Sequence, residues 1–325
     1  MKTVLITGAN GFVGSALCPL LAARGYRVTG AARAPGRAVD GVRQVFIGDI
    51  AGATDWRDHL AGVSVIVHLA ARTQAAGGAE NLTELRRTNV DATENLARQA
   101  AAAGVRRFVF ASSIKVNGEL THGRGFTAGD APSPMDAYAV SKRDAEQRLQ
   151  SVAAETGLEV VSVRPPLVYG PGVGGNFLRL LQWVDRGLPL PVATVSNRRS
   201  LIALDNLVDV LLQCVHHPAA AGRTWLISDG EDLSTPQLLR LIAGAMNRRL
   251  RLWPAPLSMI RLMARAMGRR ETFERLCGSL QVDVSEAREV LGWQPRVRAD
   301  AAIARCVAWY LASRATRARG LRRGF

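Results

Sequence analysis

The stretch from Thr3 to Arg24 constrains the fold more than any other. A β-branched run, Thr3–Thr7, passes straight into Gly8-Ala9-Asn10-Gly11-Phe12-Val13-Gly14, and an apolar segment rich in Ala and Leu follows to Arg24. Strand, glycine turn and helix in that order point a helix N-terminus at an anion, the arrangement that holds a dinucleotide pyrophosphate. Gly8 permits the tight turn, Gly11 lets the backbone approach the pyrophosphate, and Gly14 lets the helix pack close to the sheet. Asn10, Phe12 and Val13 complete the cofactor-lining turn. The spacing is Gly-x-x-Gly-x-x-Gly, one residue longer in its first interval than the common dinucleotide pattern.

The same alternation continues through the first half. Strands are expected at Thr3–Thr7, Arg27–Ala31, Arg43–Ile47, Val63–Leu69, Arg107–Ala111 and Glu159–Val163, and the clearest helices at Gly14–Arg24, Val90–Ala103 and Ala137–Thr156. The pattern predicts an α/β fold, a doubly wound parallel Rossmann sheet with helices on both faces. After Arg164-Pro165-Pro166 it fades into short apolar pieces interrupted by Gly and Pro. The chain is therefore divided into a dinucleotide-binding domain, residues 1–165, and a smaller C-terminal substrate lobe, mainly residues 166–325. Leu201–Val215 reads as a helix and Gly222–Ser228 as a strand, and segments around 201–228 are expected to return to the main sheet. At 325 residues, 48% hydrophobic and 21% charged, the chain has the length for two lobes and the composition of an ordered protein. The Arg-rich tail, Arg314–Phe325, is expected to fray.

The end of the second strand bears on cofactor choice. Gly30-Ala31-Ala32-Arg33-Ala34-Pro35-Gly36-Arg37 offers no carboxylate before Asp40. An acidic residue there binds a ribose 2′-hydroxyl, whereas Arg accommodates a 2′-phosphate, so Arg33, with Arg37, favours NADP(H) and leaves NAD(H) as the alternative. Asp49 and Ile50 follow the third strand; Asp49 suits an adenine amino group or, equally, the turn itself.

Tyr138-Ala139-Val140-Ser141-Lys142 sets a Tyr and a Lys on one helix face. A nearby ammonium stabilises phenolate and so brings a Tyr towards neutral-pH acid/base work. Phe108-Val109-Phe110-Ala111-Ser112-Ser113 ends a buried strand in two hydroxyls at the carboxyl edge of the sheet, where ligands bind in open α/β folds. Ser113 is placed to hydrogen-bond a reacting oxygen beside Tyr138.

Together these motifs closely resemble the extended short-chain dehydrogenase/reductase family, the NAD-dependent epimerases and dehydratases. The likeness runs through T-G-A-N-G-F-V-G, H-L-A-A at His68–Ala71, Asn89-Val90, A-S-S at Ala111–Ser113, Y-A-V-S-K and R-P-P-L-V-Y-G-P-G at Arg164–Gly172. It implies that Tyr138 is the acid/base, that Lys142 orients the nicotinamide ribose and lowers the Tyr pKa, and that Ser113 holds the substrate oxygen. His68, Leu69, Ala70, Ala71 and Pro165 would line the cofactor, with Asn89 in a structural role beside it. Segments at Gly175–Phe177 and Arg199–Asp205 resemble those whose Asn and Arg meet a nucleotide diphosphate. Asn176 and Arg199, with Lys115 and Ser113, are thus the implied contacts of a UDP-sugar.

Three reactions compete within that family. Dehydratases carry Asp-Glu after the catalytic hydroxyl; Ile114 and Lys115 stand there instead and cannot eliminate water. Epimerases commonly continue Val-Tyr-Gly, from which Val116-Asn117-Gly118 departs. Ser113–Glu119, Asn197–Leu201 and Cys277–Asp283 resemble a bacterial subgroup from lipopolysaccharide O-antigen clusters. That likeness implies 4-keto reduction of a UDP-4-keto-6-deoxy-N-acetylhexosamine, with UDP-hexose 4-epimerisation as the alternative. A non-catalytic dinucleotide-sensing regulator is the second alternative, disfavoured by the intact Ser, Tyr and Lys.

Lys and Arg exceed Asp and Glu by 15. No nucleic-acid motif accompanies the surplus. Leu257–Leu276, with Met259, Ile260, Leu262, Met263 and Met267 among Arg261, Arg265, Arg269 and Arg270, reads either as a core-facing helix or as a basic amphipathic helix on a membrane surface. Cys18, Cys214, Cys277 and Cys306 lack metal-ligand spacing, so no metal site is expected. The start lacks a signal-peptide core, which together with the cysteines indicates a cytoplasmic enzyme, with peripheral contact at the inner membrane as the variant. A homodimer through helices like Val90–Ala103 and Ala137–Thr156 is expected from the resemblance.

Overall fold

The computed structural model describes residues 2–36, 39–73, 80–268 and 270–322, without the side chains of residues 80–81, 270–272 and 317–322. The first half forms β1 (Thr3–Thr7), α1 (Gly14–Ala23), β2 (Arg27–Ala32), β3 (Val42–Phe46), the short α2 (Arg57–Leu60) and β4 (Val65–His68). There follow α3 (Glu80–Arg86), a wider π turn at Arg87–Asp91, α4 (Ala92–Ala102), β5 (Arg107–Ala111), α5 (Ala137–Thr156) and β6 (Glu159–Arg164). The second half holds β7 (Leu167–Tyr169), α6 (Gly175–Asp185), β8 (Arg199–Ala203), α7 (Leu204–His216), β9 (Thr224–Leu226) and β10 (Asp232–Leu233). It ends with α8 (Thr235–Ala245), α9 (Leu257–Ala266), α10 (Arg270–Cys277), α11 (Ser285–Leu291) and α12 (Ala299–Arg322).

Seven parallel strands run in the order β3-β2-β1-β4-β5-β6-β9. Alternate residues of each strand feed opposite layers. Val4, Ile6, Val65 and Val67 pack under α1 and α7, whereas Leu5, Ile66, Phe108 and Phe110 pack under α4 and α5. Both faces of the central strands are covered, which explains why β1, β4 and β6 read as β-branched runs, whereas edge strand β3 carries Arg43 and Gln44. The order reverses direction between β1 and β4, and in such sheets ligands bind at the carboxyl ends beside that point.

A three-stranded sheet, β10-β8-β7, and helices α6, α8 and α12 enclose a separate core around Phe177, Leu181, Leu239 and Ile303. An extended segment, 278–283, ties this part to the main sheet. Leu280 exchanges backbone bonds with β8 (Ser200 N to Leu280 O 2.8 Å, Leu280 N to Arg198 O 2.9 Å). Its other side pairs with the loop after β5, where the Thr121 and Phe126 amides donate to Ser279 and Gln281 at 2.9 Å each.

Three expectations need correction. Leu201–Val215 is not helical throughout: Leu201–Ala203 complete β8, because each is buried and pairs with Leu167–Tyr169 of β7. The helix expected over Leu257–Leu276 is two helices, α9 ending before Gly268, whose φ of +65° leaves the helical region. The tail expected to fray is helical through Arg322, and 323–325 lie outside the described residues.

Candidate active site

The glycine turn closes against the end of β4. Gly8 has φ +69°, and a Cβ there would sit 2.9 Å from the Ala70 amide nitrogen. Gly14 serves the turn itself rather than helix-to-sheet packing: its Cβ would fall 2.3 Å from the Gly8 carbonyl oxygen. Gly11 is exposed at the mouth of α1, whose first turn carries no acidic side chain to compete with an anion. This cradle fits a dinucleotide pyrophosphate.

Other predicted cofactor residues surround it. Asn10 donates to the Ala34 carbonyl at 3.0 Å and ties the turn to the loop after β2. Phe12 packs between the two cores, and Val13 leads into α1 against the first. Leu69, Ala70 and Ala71 are half-exposed at the end of β4, Ile50 packs on the layer under α4, and Pro165 accepts from the Ile114 amide at 3.0 Å. Arg33 and Asp49, assigned separately to a phosphate and an adenine, face each other across 3.5 Å and are 78% and 79% exposed. An ion pair so exposed is worth under about 1 kcal/mol, so either partner is free to change contacts at small cost. Arg37 lies outside the described residues.

His68 does not line the cleft. It is fully buried, and both ring nitrogens are satisfied by Thr7 Oγ1 (2.7 Å) and Thr93 Oγ1 (3.0 Å). Thr93 gives its own proton to the Asn89 carbonyl (2.8 Å), so it accepts from His68 Nε2–H and leaves Nδ1 to accept from Thr7. Burial, then the Lys142 charge, pulls His68 down to about 3, so the ring stays neutral. Asn89 sits in the π turn and clamps both backbone groups of Arg72 (2.8 and 3.0 Å), while donating to Ser141 Oγ at 2.9 Å.

Lys142 brings the Tyr138 face of α5 to the edge carrying Ser113. Its Nζ donates to the Ala111 carbonyl at 2.7 Å and lies 4.3 Å from the centre of the Phe110 ring. Burial lowers this ammonium to about 7, opposed by the Glu146 carboxylate one turn on. The expected lowering of the Tyr138 phenol is absent from the protein alone: burial, then the Asp136 charge, holds it above its ordinary value. Ser113 caps the short turn Ile114–Val116 through the Lys115 amide, at 3.3 Å. Lys115 is engaged rather than open to a sugar, bonded to Glu119 (2.7 Å) and to Asp136, which in turn caps α5 through the Ala139 amide (2.7 Å).

In the smaller lobe Asn176 is exposed in the first turn of α6. Arg199 begins β8 and donates to the Gly278 carbonyl at 3.0 Å; burial lowers its pKa, the Glu119 charge opposing. Thus Glu119 binds Lys115, and its charge also acts on Arg199.

Asp136, Glu146, Arg164 and Asn117 were missed as members of this framework. Arg164 Nε donates to Glu146 Oε1 at 2.9 Å, Nη2 to Oε2, and Nη1 to Asn117 Oδ1 at 2.9 Å. Two signals pointed there: Asp136 precedes a helix as a capping residue does, and Glu146 stands four after Lys142.

A parallel Rossmann sheet with Ser at the end of β5 and Tyr and Lys on α5 defines a short-chain dehydrogenase/reductase. Residues 4–228 match the model of the NAD dependent epimerase/dehydratase family, and the chain belongs to it. It is 42% identical over 300 residues to a UDP-glucose 4-epimerase of Vibrio cholerae, covering 90% of this chain and 91% of that one. A 2-alkyl-3-oxoalkanoate reductase of Stenotrophomonas maltophilia is 30% identical over 90% of this chain and 95% of its own. Among solved structures, MoeE5 in complex with UDP-glucuronic acid and NAD superposes with a TM-score of 0.78 at 26% identity, covering 96% of this chain and all of that one (100%).

Proposed function

We propose that this enzyme carries out oxidoreduction at C4 of a UDP-sugar, with UDP-hexose 4-epimerisation as the reaction best supported. The observation that carries the reading is the Lys142–Ala111 bond, which fixes the Tyr138 face of α5 against the end of β5, two residues before Ser113. The 42% relative supports epimerisation.

Gly8, Gly11 and Gly14 would hold a dinucleotide, which when bound would accept hydride from C4 and, once the 4-keto sugar has turned over in the site, return it to the opposite face. Tyr138 takes the proton of the 4-hydroxyl and returns it to the same oxygen, while Ser113 hydrogen-bonds that oxygen. Lys142, which keeps further ammonium protons beyond its bond to Ala111, would meet the nicotinamide ribose and bring positive charge that lowers the Tyr138 phenol. Asn176 and Arg199 hold the diphosphate, Arg199 as a planar donor. A homodimer through α4 and α5 and a cytoplasmic location belong to the same reading.

Reduction of a UDP-4-keto-6-deoxy-N-acetylhexosamine by NADPH, in O-antigen synthesis, is the second reading. Arg33 favours it, since no carboxylate ends β2. Loss of reduced-nicotinamide absorbance on mixing enzyme, NADPH and that keto-sugar assigns the reductase; conversion of UDP-glucose to UDP-galactose assigns the epimerase. Replacing Tyr138 by Phe lowers either turnover by about 100- to 10,000-fold while dinucleotide binding persists. Unchanged turnover sinks the assignment.

A further inference from the structure

The smaller lobe carries an apolar surface that the catalytic reading does not use. Trp253, Leu257, Met259, Leu262, Met263 and Met267 are all exposed, Leu262 at 69% and Met267 at 59%, and they fall within one short stretch. Apolar side chains scattered singly on a surface need no explanation, but several sharing one side of a helix mark a contact.

Helix α9 shows how the set is arranged. It turns Ala264 and part of Ile260 inward. At about 3.6 residues per turn, Met259, Leu262, Met263 and Ala266 then share the outward side. Arg261 and Arg265 are exposed four residues apart and line one border between the inner and outer faces, Arg261 with its guanidinium 5.5 Å from the Phe273 ring. From Asn247 to Gly268 the sequence contains five arginines and no Asp or Glu.

We propose that α9 and the adjoining Trp253 turn dock on the anionic surface of a phospholipid bilayer. An outward apolar face with arginines at its border seats side chains among acyl chains while guanidinium groups meet lipid phosphates. An exposed Trp beside it adds a ring suited to the headgroup layer. Charge complementarity selects this occupant over a second copy of the chain. A two-fold contact sets the same patch on both sides, and here that would face arginines with arginines. The surface stands apart from the Ser113, Tyr138 and Lys142 assignment, and its test is independent of it.

The test is sedimentation of the full chain with two kinds of vesicle, pure phosphatidylcholine and one part phosphatidylglycerol to two parts phosphatidylcholine. Binding to the anionic vesicles at least about tenfold tighter than to the neutral ones, and weakened by salt, is the expected result. Leu262→Glu should abolish it and Arg265→Ala weaken it about fivefold. Unchanged circular dichroism and melting temperature in both variants show that the fold persists. Equal binding to both vesicles, no binding, or binding indifferent to Leu262→Glu overturns the proposal. So does a dimer in vesicle-free solution that Leu262→Glu dissociates, which would give the face to a second copy.

Discussion

Exchanging Glu146 for Gln tests whether the framework behind Tyr138 and Lys142 is electrostatic. Glu146 and Arg164 are only 4% and 7% exposed, and the guanidinium has its remaining partner in Asn117. Gln keeps the volume of Glu and one acceptor but leaves a buried cation without its counter-charge. Breaking such a pair from one side costs about 3–5 kcal/mol. An unfolding entropy of about 2 cal/mol/K per residue gives this chain roughly 0.7 kcal/mol/K, so the melting temperature should fall by roughly 4–7 °C. Calorimetry of the parent, Glu146→Gln, and the double variant Glu146→Leu/Arg164→Met measures it. The double variant should recover most of the loss, because the Arg164 charge is then removed with its partner. A single variant melting within about 1 °C of the parent, or a double variant worse than the single, refutes the reasoning.

Two further perturbations test the cleft. Lys142 keeps its proton to about 10.5 when unfolded and loses it near 7 when folded, so between these values the unfolded chain binds more protons and rising pH favours the fold. Stability of the dinucleotide-free protein should therefore climb from about pH 7 to 10 and flatten in Lys142→Met; denaturant titrations showing parallel curves for the two proteins contradict this. Gly14→Ala forces a methyl to within 2.3 Å of the Gly8 oxygen and should cost about 1–3 kcal/mol and most dinucleotide affinity, whereas Gly129→Ala, with nothing within 4 Å, should be neutral in the same melts and NAD titrations.

All seven strands of the main sheet were legible, the inner ones because strands buried on both faces are apolar and β-branched, whereas edge strand β3 carries Arg43 and Gln44. Leu201–Ala203 escaped because a short buried apolar run beside a helix has no period of its own. Tyr138 and Lys142 share a helix face, and that spacing located them together with the glycine turn and the hydroxyls after β5. Where the Lys142 ammonium points depends on β5, and no local pattern states that. His68 shows the limit most plainly: a histidine at a strand end beside the cleft reads as a lining residue until Thr7 and Thr93 are seen to occupy both nitrogens. Arg164 and Glu146 belong to different elements, and their pairing follows only once β6 lies against α5.

The position of β9 sets an order of events during synthesis. β6 ends at Arg164, yet the strand that covers its outer edge ends at Leu226, about 60 residues later. At roughly 5–20 residues per second a ribosome needs several seconds to deliver that stretch. Throughout this interval a nascent six-strand sheet presents the backbone of β6 unpaired, beside the apolar face that α7 later covers. Nascent chains on one messenger are close enough to pair through such edges. The interval between Arg164 and Leu226 is therefore the part of synthesis in which that edge has to be kept from other chains.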